Sequence, residues 1–397
     1  MAGNDSKLTP LGKLVIFLFI IGCLGGAYYM FMGKKLPKIG GSSSGGGIFS
    51  STPDAEIGIA YGTEKQRWLE WAVQEFAKTS DGKHIKVNLI PMGSIEAAHA
   101  VLAGDKRINA WTPASNTYKD VFLQEWQVKD STGNPIAREE SIALTPMVFV
   151  IWDERYRAFI QKHKTLSFAT VNQALQEKGG WNTIANKPEW GLFKFGHASP
   201  SQSNSGLMTI VLAAYAYQNK TKDLTLQDVV NVDFQNWLEK LERAASGMSN
   251  STGNMMKEMV LKGPSSYDVL FVYENVAIDY LKNAEGRWGQ LRVVYPEYNA
   301  WNEHPYYVLN VPWSTSDQQK AASVFLNFLL TDPIQKESLN HGFRPANLNV
   351  PIKFPESPFV RYASYGLQVD LQKICEPPKA DVVNNLLASW QRLQGTR

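Results

Sequence analysis

The chain has 397 residues, 40 Lys and Arg against 37 Asp and Glu, and a formal net charge of +3. A charge this small and this evenly spread excludes nucleic acid as the main partner, and 44% hydrophobic with 19% charged residues excludes a disordered chain. Two cysteines, Cys23 and Cys375, exclude a disulfide scaffold and any multi-cysteine metal centre.

Residues 14–32 read LVIFLFIIGCLGGAYYMFM, without a charge. At ~1.5 Å per residue, a helix over this run is roughly 28 Å long, close to the thickness of a bilayer's hydrocarbon core. Tyr28 and Tyr29 suit one interface, and Lys13, Lys34 and Lys35 bracket the run. The expectation is a stub at 1–13, a single-pass transmembrane anchor at 14–32 and a Gly/Ser-rich tether at 33–53. Ile20-Ile21-Gly22-Cys23 also resembles a lipobox, in which Cys23 becomes a lipidated N-terminus. The apolar run continues well past Cys23, which favours the uncleaved anchor.

Beyond the tether, short apolar runs alternate with helical patterns. Glu56–Tyr61 reads as a strand, followed by a helix carrying Trp68, Leu69, Ala72, Val73 and Phe76, with Thr63 as its N-cap and Gln66 closing a capping box. Ile85–Ile90 alternates as a strand, Ile95–Ala103 reads as a helix, and Ile108–Trp111 as a third strand. This β-α-β-α-β order predicts an α/β fold with an open, mostly parallel sheet flanked by helices. Pro146–Ile151, Tyr267–Val272, Val293–Tyr295 and Tyr306–Leu309 read as further strands, and Gln318–Leu330 as a late amphipathic helix.

Three of these strands end in small polar clusters: Gly62-Thr63, Gly93-Ser94 and Thr112-Pro113-Ala114-Ser115. Any one alone reads as a helix cap. Three at one sheet edge point to a ligand site, because open α/β sheets bind beyond the carboxyl ends of their strands. A second signal is the run Gly196–Gly206, GHASPSQSNSG, ahead of an apolar helical stretch from Leu207 to Tyr217. Its small donors and the helix N-terminus suit a dipole-assisted pocket wall, with a plain serine-rich turn as the alternative. His197 reads as a loop-bracing partner rather than a metal ligand.

Several stretches resemble bacterial type 2 periplasmic solute-binding proteins, the receptors of ABC importers, and particularly the extracellular solute-binding branch that includes molybdate binders. Thr63-Glu64-Lys65 resembles the family's turn after the first strand, with Thr in place of Ser. Residues 108–115, INAWTPAS, are similar to its third strand end, and Ser203-Asn204-Ser205-Gly206 to its second-lobe loop. Val269–Glu274 resembles the return strand bearing a ligand-facing Tyr, and Gly342-Phe343-Arg344-Pro345-Ala346-Asn347 the closing tail. The resemblance implies two hinged lobes, lobe I at 54–148 and 304–397 and lobe II at 149–303, with hinge strands near 148–151 and 302–306. It also implies a body on the periplasmic side of a bacterial cell membrane.

Carried over position by position, the ligand-binding residues are Thr63, Ser94, Trp111, Ser115, Ser203, Asn204, Ser205, Tyr273 and Glu274. Hydroxyls and amides suit an oxyanion, whereas Glu64 and Glu274 beside the site suit a polar organic solute or a cation. Trp111, Trp301 and Tyr298 read either as stacking platforms or as packing. No catalytic motif, metal-ligand set or cofactor-binding fingerprint is present in the sequence, so the expectation is a binding protein without cofactor. The two functional readings are a receptor delivering a small solute to an ABC permease and an anchored sensor or envelope-assembly component using the same fold.

Overall fold

The computed structural model describes residues 54–129, 133–246 and 248–395. The stub, anchor and tether expected at 1–53 lie outside these residues. Among the described residues no helix is long and apolar enough to cross a membrane.

The first sheet holds five strands, β1 (Ala55–Tyr61), β2 (Ile85–Pro91), β3 (Ala110–Thr112), β4 (Ile136–Ser141) and β11 (Pro305–Leu309), in the order β2-β1-β3-β11-β4. Ile57, Ile59 and Tyr61 alternate onto one face of β1 and pack on Trp68, Leu69 and Phe76 of helix Gln66–Phe76. Ala60 faces the other way, into a core with Ile95, Ala98 and Trp111. Period-two alternation thus gives each face its own helical layer.

The second sheet has the order β7-β8-β6-β9, from β6 (Met147–Trp152), β7 (Phe195–Gly196), β8 (Val269–Tyr273) and β9 (Leu291–Val294). Every residue of β6 is buried, and the Phe149 ring packs on Phe271 and Phe168 at 4.6 and 5.2 Å. Burying each such side chain contributes roughly 1.5–3 kcal/mol. A strand this apolar needs cover on both faces, so it sits inside the sheet and not in a linker.

The expected mostly parallel sheets are instead mixed. β1 is parallel to β2 and β3, and β7 to β8, but β11 runs antiparallel to β3 and β4, and β6 antiparallel to β8 and β9. The reversed strands are those that follow each passage between the sheets. These passages meet at the bridge between Thr145 and Asn302. Beside it, β5 (Ala143–Leu144) pairs with β12 (Arg344–Pro345). Residues 148–151, expected as hinge, lie in the middle of β6.

The C-terminal arm does not stay with the first sheet. β13 (Lys373–Ile374) pairs with β10 (Tyr298–Asn299). Helix Ala380–Gly395 packs against helices Leu226–Val230 and Val232–Ala244 beside the second sheet, and also against helix Lys119–Lys129 beside the first. Its Trp390 donates to Glu242, which also pairs with His197 at 3.2 Å.

Candidate functional site

Small polar side chains from both lobes converge where the strands end. After β1, Thr63–Lys65 form a tight 3-10 turn and the α-helix starts at Gln66. The capping box expected at Thr63 is therefore absent, and Gln66 bonds Glu70 instead. The Thr63 hydroxyl lies 3.1 Å from Ser251 Oγ of the opposite lobe. After β2, Gly93 and not Ser94 is the N-cap; Ser94 is the first residue of helix Ser94–Leu102, and its Oγ accepts from the Ala114 amide at 3.1 Å. Two of the three strand-end loops of lobe I are thereby tied together.

From lobe II, helix Asn204–Gln218 begins three residues earlier than the apolar pattern indicates, so Asn204 and Ser205 belong to its first turn. Asn204 Nδ2 donates to Tyr273 OH at 3.0 Å and to Asn302 Oδ1 at 3.1 Å, and Asn204 Oδ1 accepts from Ser115 Oγ at 2.7 Å. Ser205 bonds the Ser203 and Thr252 hydroxyls. Thr252 opens helix Thr252–Lys262, capped by Ser251. Three helices thus begin at this cluster, and helix N-termini carry amides without intrahelical acceptors and a partial positive charge.

Ser94, Ser115, Ser203, Asn204, Ser205, Thr252, Tyr273 and Asn302 are all buried. The lobes are therefore together. Further contacts cross the cleft: the Ile95 amide donates to Gln202 O at 3.3 Å, and Asn275 Nδ2 to Glu64 O at 3.0 Å. A cavity of about 190 Å³ is lined by Thr117 and Met208 on one side and by Ile374–Pro378 of the C-terminal arm.

The two carboxylates beside the site are both paired. Glu64 Oε1 lies 2.6 Å from Lys65 Nζ, and Lys65 also reaches Pro113 O and His304 Nδ1 at 3.3 and 3.1 Å. Burial, and then Lys65, hold the His304 pKa well below its usual value, so this ring is neutral. Glu274 receives Arg344 in a two-pronged ion pair at 2.8 and 2.7 Å and also accepts from Tyr295 OH. Burial opposes the charge on Arg344, but Glu274 and then Tyr295 together outweigh it and raise the pKa. Tyr273 has its pKa pushed far up by burial and then by Glu64, so its hydroxyl stays protonated.

The structure thus brings Thr63, Ser94, Ser115, Ser203, Asn204, Ser205 and Tyr273 together and leaves two expected residues apart. Trp111 is buried in the core of lobe I, with Phe122 and Tyr307 at 5.0 and 5.1 Å. Glu274 is engaged by Arg344. Sequence reasoning missed Ser251 and Thr252, which no motif marks, and placed Asn302 only in the passage between lobes.

Residues 57–344, more than two thirds of the chain, match the family described as bacterial extracellular solute-binding protein. The chain belongs to that family. No curated protein sequence matches it. Among solved structures, the sulfate-binding protein SubI from Mycobacterium tuberculosis H37Rv is 16% identical, over 86% of this chain and 99% of that one, with a TM-score of 0.53. A periplasmic thiamin binding protein is 12% identical over 85% and 96%, with a TM-score of 0.56. Iron-bound HitA from Pseudomonas aeruginosa is 14% identical over 85% and 99%, with a TM-score of 0.54. At these identities the likeness establishes the fold, the two-lobed α/β architecture of periplasmic binding proteins. The first two are, by name, a sulfate-binding and a periplasmic thiamin-binding protein.

Proposed function

We propose that the chain is a membrane-anchored receptor that traps a small oxyanion between its lobes and delivers it to an ABC importer. One observation carries the choice of ligand. Both lobes present hydroxyls and helix N-termini to one buried point, while Glu64 and Glu274, the carboxylates that spoke against an anion, are each held by a buried cation. Fixed dipoles around a neutralised site favour a compact anion. In this reading the uncharged run at 14–32 anchors the receptor beside its permease, and the Gly/Ser-rich composition of 33–53 suits a tether.

Trapping follows from the cross-lobe contacts. A solute touching both lobes binds only the closed arrangement and shifts the population towards it. The test is a titration of the detergent-solubilised full-length chain with sulfate, molybdate, phosphate, amino acids, amines and sugars, read by thermal midpoint. A bound anion at about 100 times its Kd adds about 2.7 kcal/mol of stability. A response to an oxyanion is expected. A response confined to amines or sugars, or none at all, overturns this reading.

A further inference from the structure

We infer that Lys65 sets the sign of charge the interlobe site accepts, by cancelling the Glu64 carboxylate from beneath. This rests on the oxyanion reading above. Lys65 is fully buried, with 0% of its surface exposed, although a lysine is seldom buried without a specific partner. Its ammonium reaches Glu64, the Pro113 carbonyl and the neutral His304 ring. Burial pushes the Lys65 pKa down and the adjoining Glu64 carboxylate pulls it back up, and with this pair ionised the triad carries one negative and one positive charge.

Its position makes that balance matter. Glu64 follows Thr63, and its main-chain oxygen accepts from Asn275 of lobe II. Its field also reaches the Tyr273 hydroxyl, which holds Asn204 within the polar cluster. Lys65 additionally fixes Pro113, next to the Ala114 amide that Ser94 binds, and the His304 amide donates to Ala114 O. A charge left unbalanced here acts on any ion in the cleft through poorly screened surroundings. Lys65 acts through Glu64 and is a positioning and charge-balancing residue, without itself touching the solute.

The experiment titrates full-length wild type, Glu64→Gln, Lys65→Met and the double variant with sulfate, molybdate and phosphate, and with ethylammonium as a cationic probe. Glu64→Gln leaves a net positive charge and is expected to bind the anion several-fold more tightly. Lys65→Met leaves a bare carboxylate and is expected to bind it on the order of a hundredfold more weakly, with ethylammonium gaining. The double variant is expected to return to within about tenfold of wild type. A merely structural role weakens anion binding in all three variants, and that pattern overturns the inference. Should Lys65→Met fail to fold, Glu64→Gln decides alone, and unchanged or weaker anion binding overturns it. Wild type that binds none of the anions removes the oxyanion reading and this inference together. Wild type that binds while the variants show no charge-dependent response removes the inference only.

Discussion

The Ser115 hydroxyl of lobe I donates to Asn204 Oδ1 of lobe II across 2.7 Å, while Asn204 Nδ2 holds Tyr273 and Asn302. One amide therefore ties the two lobes and the segment that passes between them. Asn204→Ala removes all three bonds at a buried point. Each buried hydrogen bond lost to a solute or partner costs about 1–3 kcal/mol, so solute affinity is expected to fall roughly 10- to 100-fold. Ser203→Ala and Ser205→Ala are expected to follow with smaller losses. Calorimetric titration reads the effect, and unchanged affinity in all three variants sinks the assignment of this cluster.

Gly93 offers a steric test of closure. A Cβ there would stand 2.4 Å from Gln202 O, which belongs to the other lobe. The Gly93 backbone, at φ −62 and ψ 149, is open to alanine without local strain. Gly93→Ala is thus expected to keep each lobe folded yet hold the lobes apart. Solute affinity should drop by on the order of a hundredfold, because binding then selects a state that is poorly populated, with the urea midpoint of the solute-free protein little changed. Small-angle scattering that shows the variant closing on ligand as the wild type does contradicts it.

The order of the elements was legible because strand runs and helical spacing are local signals. So was the convergence of the loops, since Thr63, Ser94 and Ser115 stand at the ends of strands of one sheet, where three small polar clusters together say more than one cap alone. What the sequence hid are pairings between distant positions. Glu274 and Arg344 meet across 70 residues and Thr63 and Ser251 across 188, and no periodicity encodes either. A lone carboxylate in the sequence therefore looked like a ligand contact. Trp111 was open for a related reason: an aromatic at a strand end packs inward as readily as it faces a cleft, and its packing on Phe122 and Tyr307 is a pairing no periodicity encodes.

The Glu274–Arg344 pair is a structural staple beside the passages between the two sheets. Arg344 also donates to the carbonyls of Gln368 and Val369 and lies over the Trp301 and Phe359 rings at 5.1 and 5.0 Å. Breaking a buried pair from one side leaves the other charge stranded, at a cost of about 3–5 kcal/mol. Glu274→Gln and Arg344→Met are each expected to destabilise the protein on that scale, and the double variant by clearly less than their sum. Arg344→Met is further expected to expose residues 366–372 to protease, because it releases the arm's two carbonyl contacts. Additive losses in urea denaturation count against the pair as a coupled unit.

Asp279 of lobe II receives Arg67 of lobe I at 3.0 Å on the cleft rim. Burial pushes the Asp279 carboxyl up from 3.8 to about 6, with Arg67 pulling the other way. Between these values the native state holds a proton that the unfolded chain has released. Stability from this group is therefore present below about pH 4 and is lost as pH rises through about 6. Asp279→Asn removes the titration. Relative to wild type, the variant is expected to be unchanged near pH 4 and to gain progressively up to pH 6, by about 1–2 kcal/mol, before levelling off. The gain stays below the full two-unit value because the Asp279 side chain is 21% exposed, so water relieves part of the penalty that burial puts on its charge. Urea midpoints at four pH values from 4 to 7 measure the difference. A variant that tracks wild type in parallel, or loses stability as pH rises, shows that Arg67 outweighs burial at this rim.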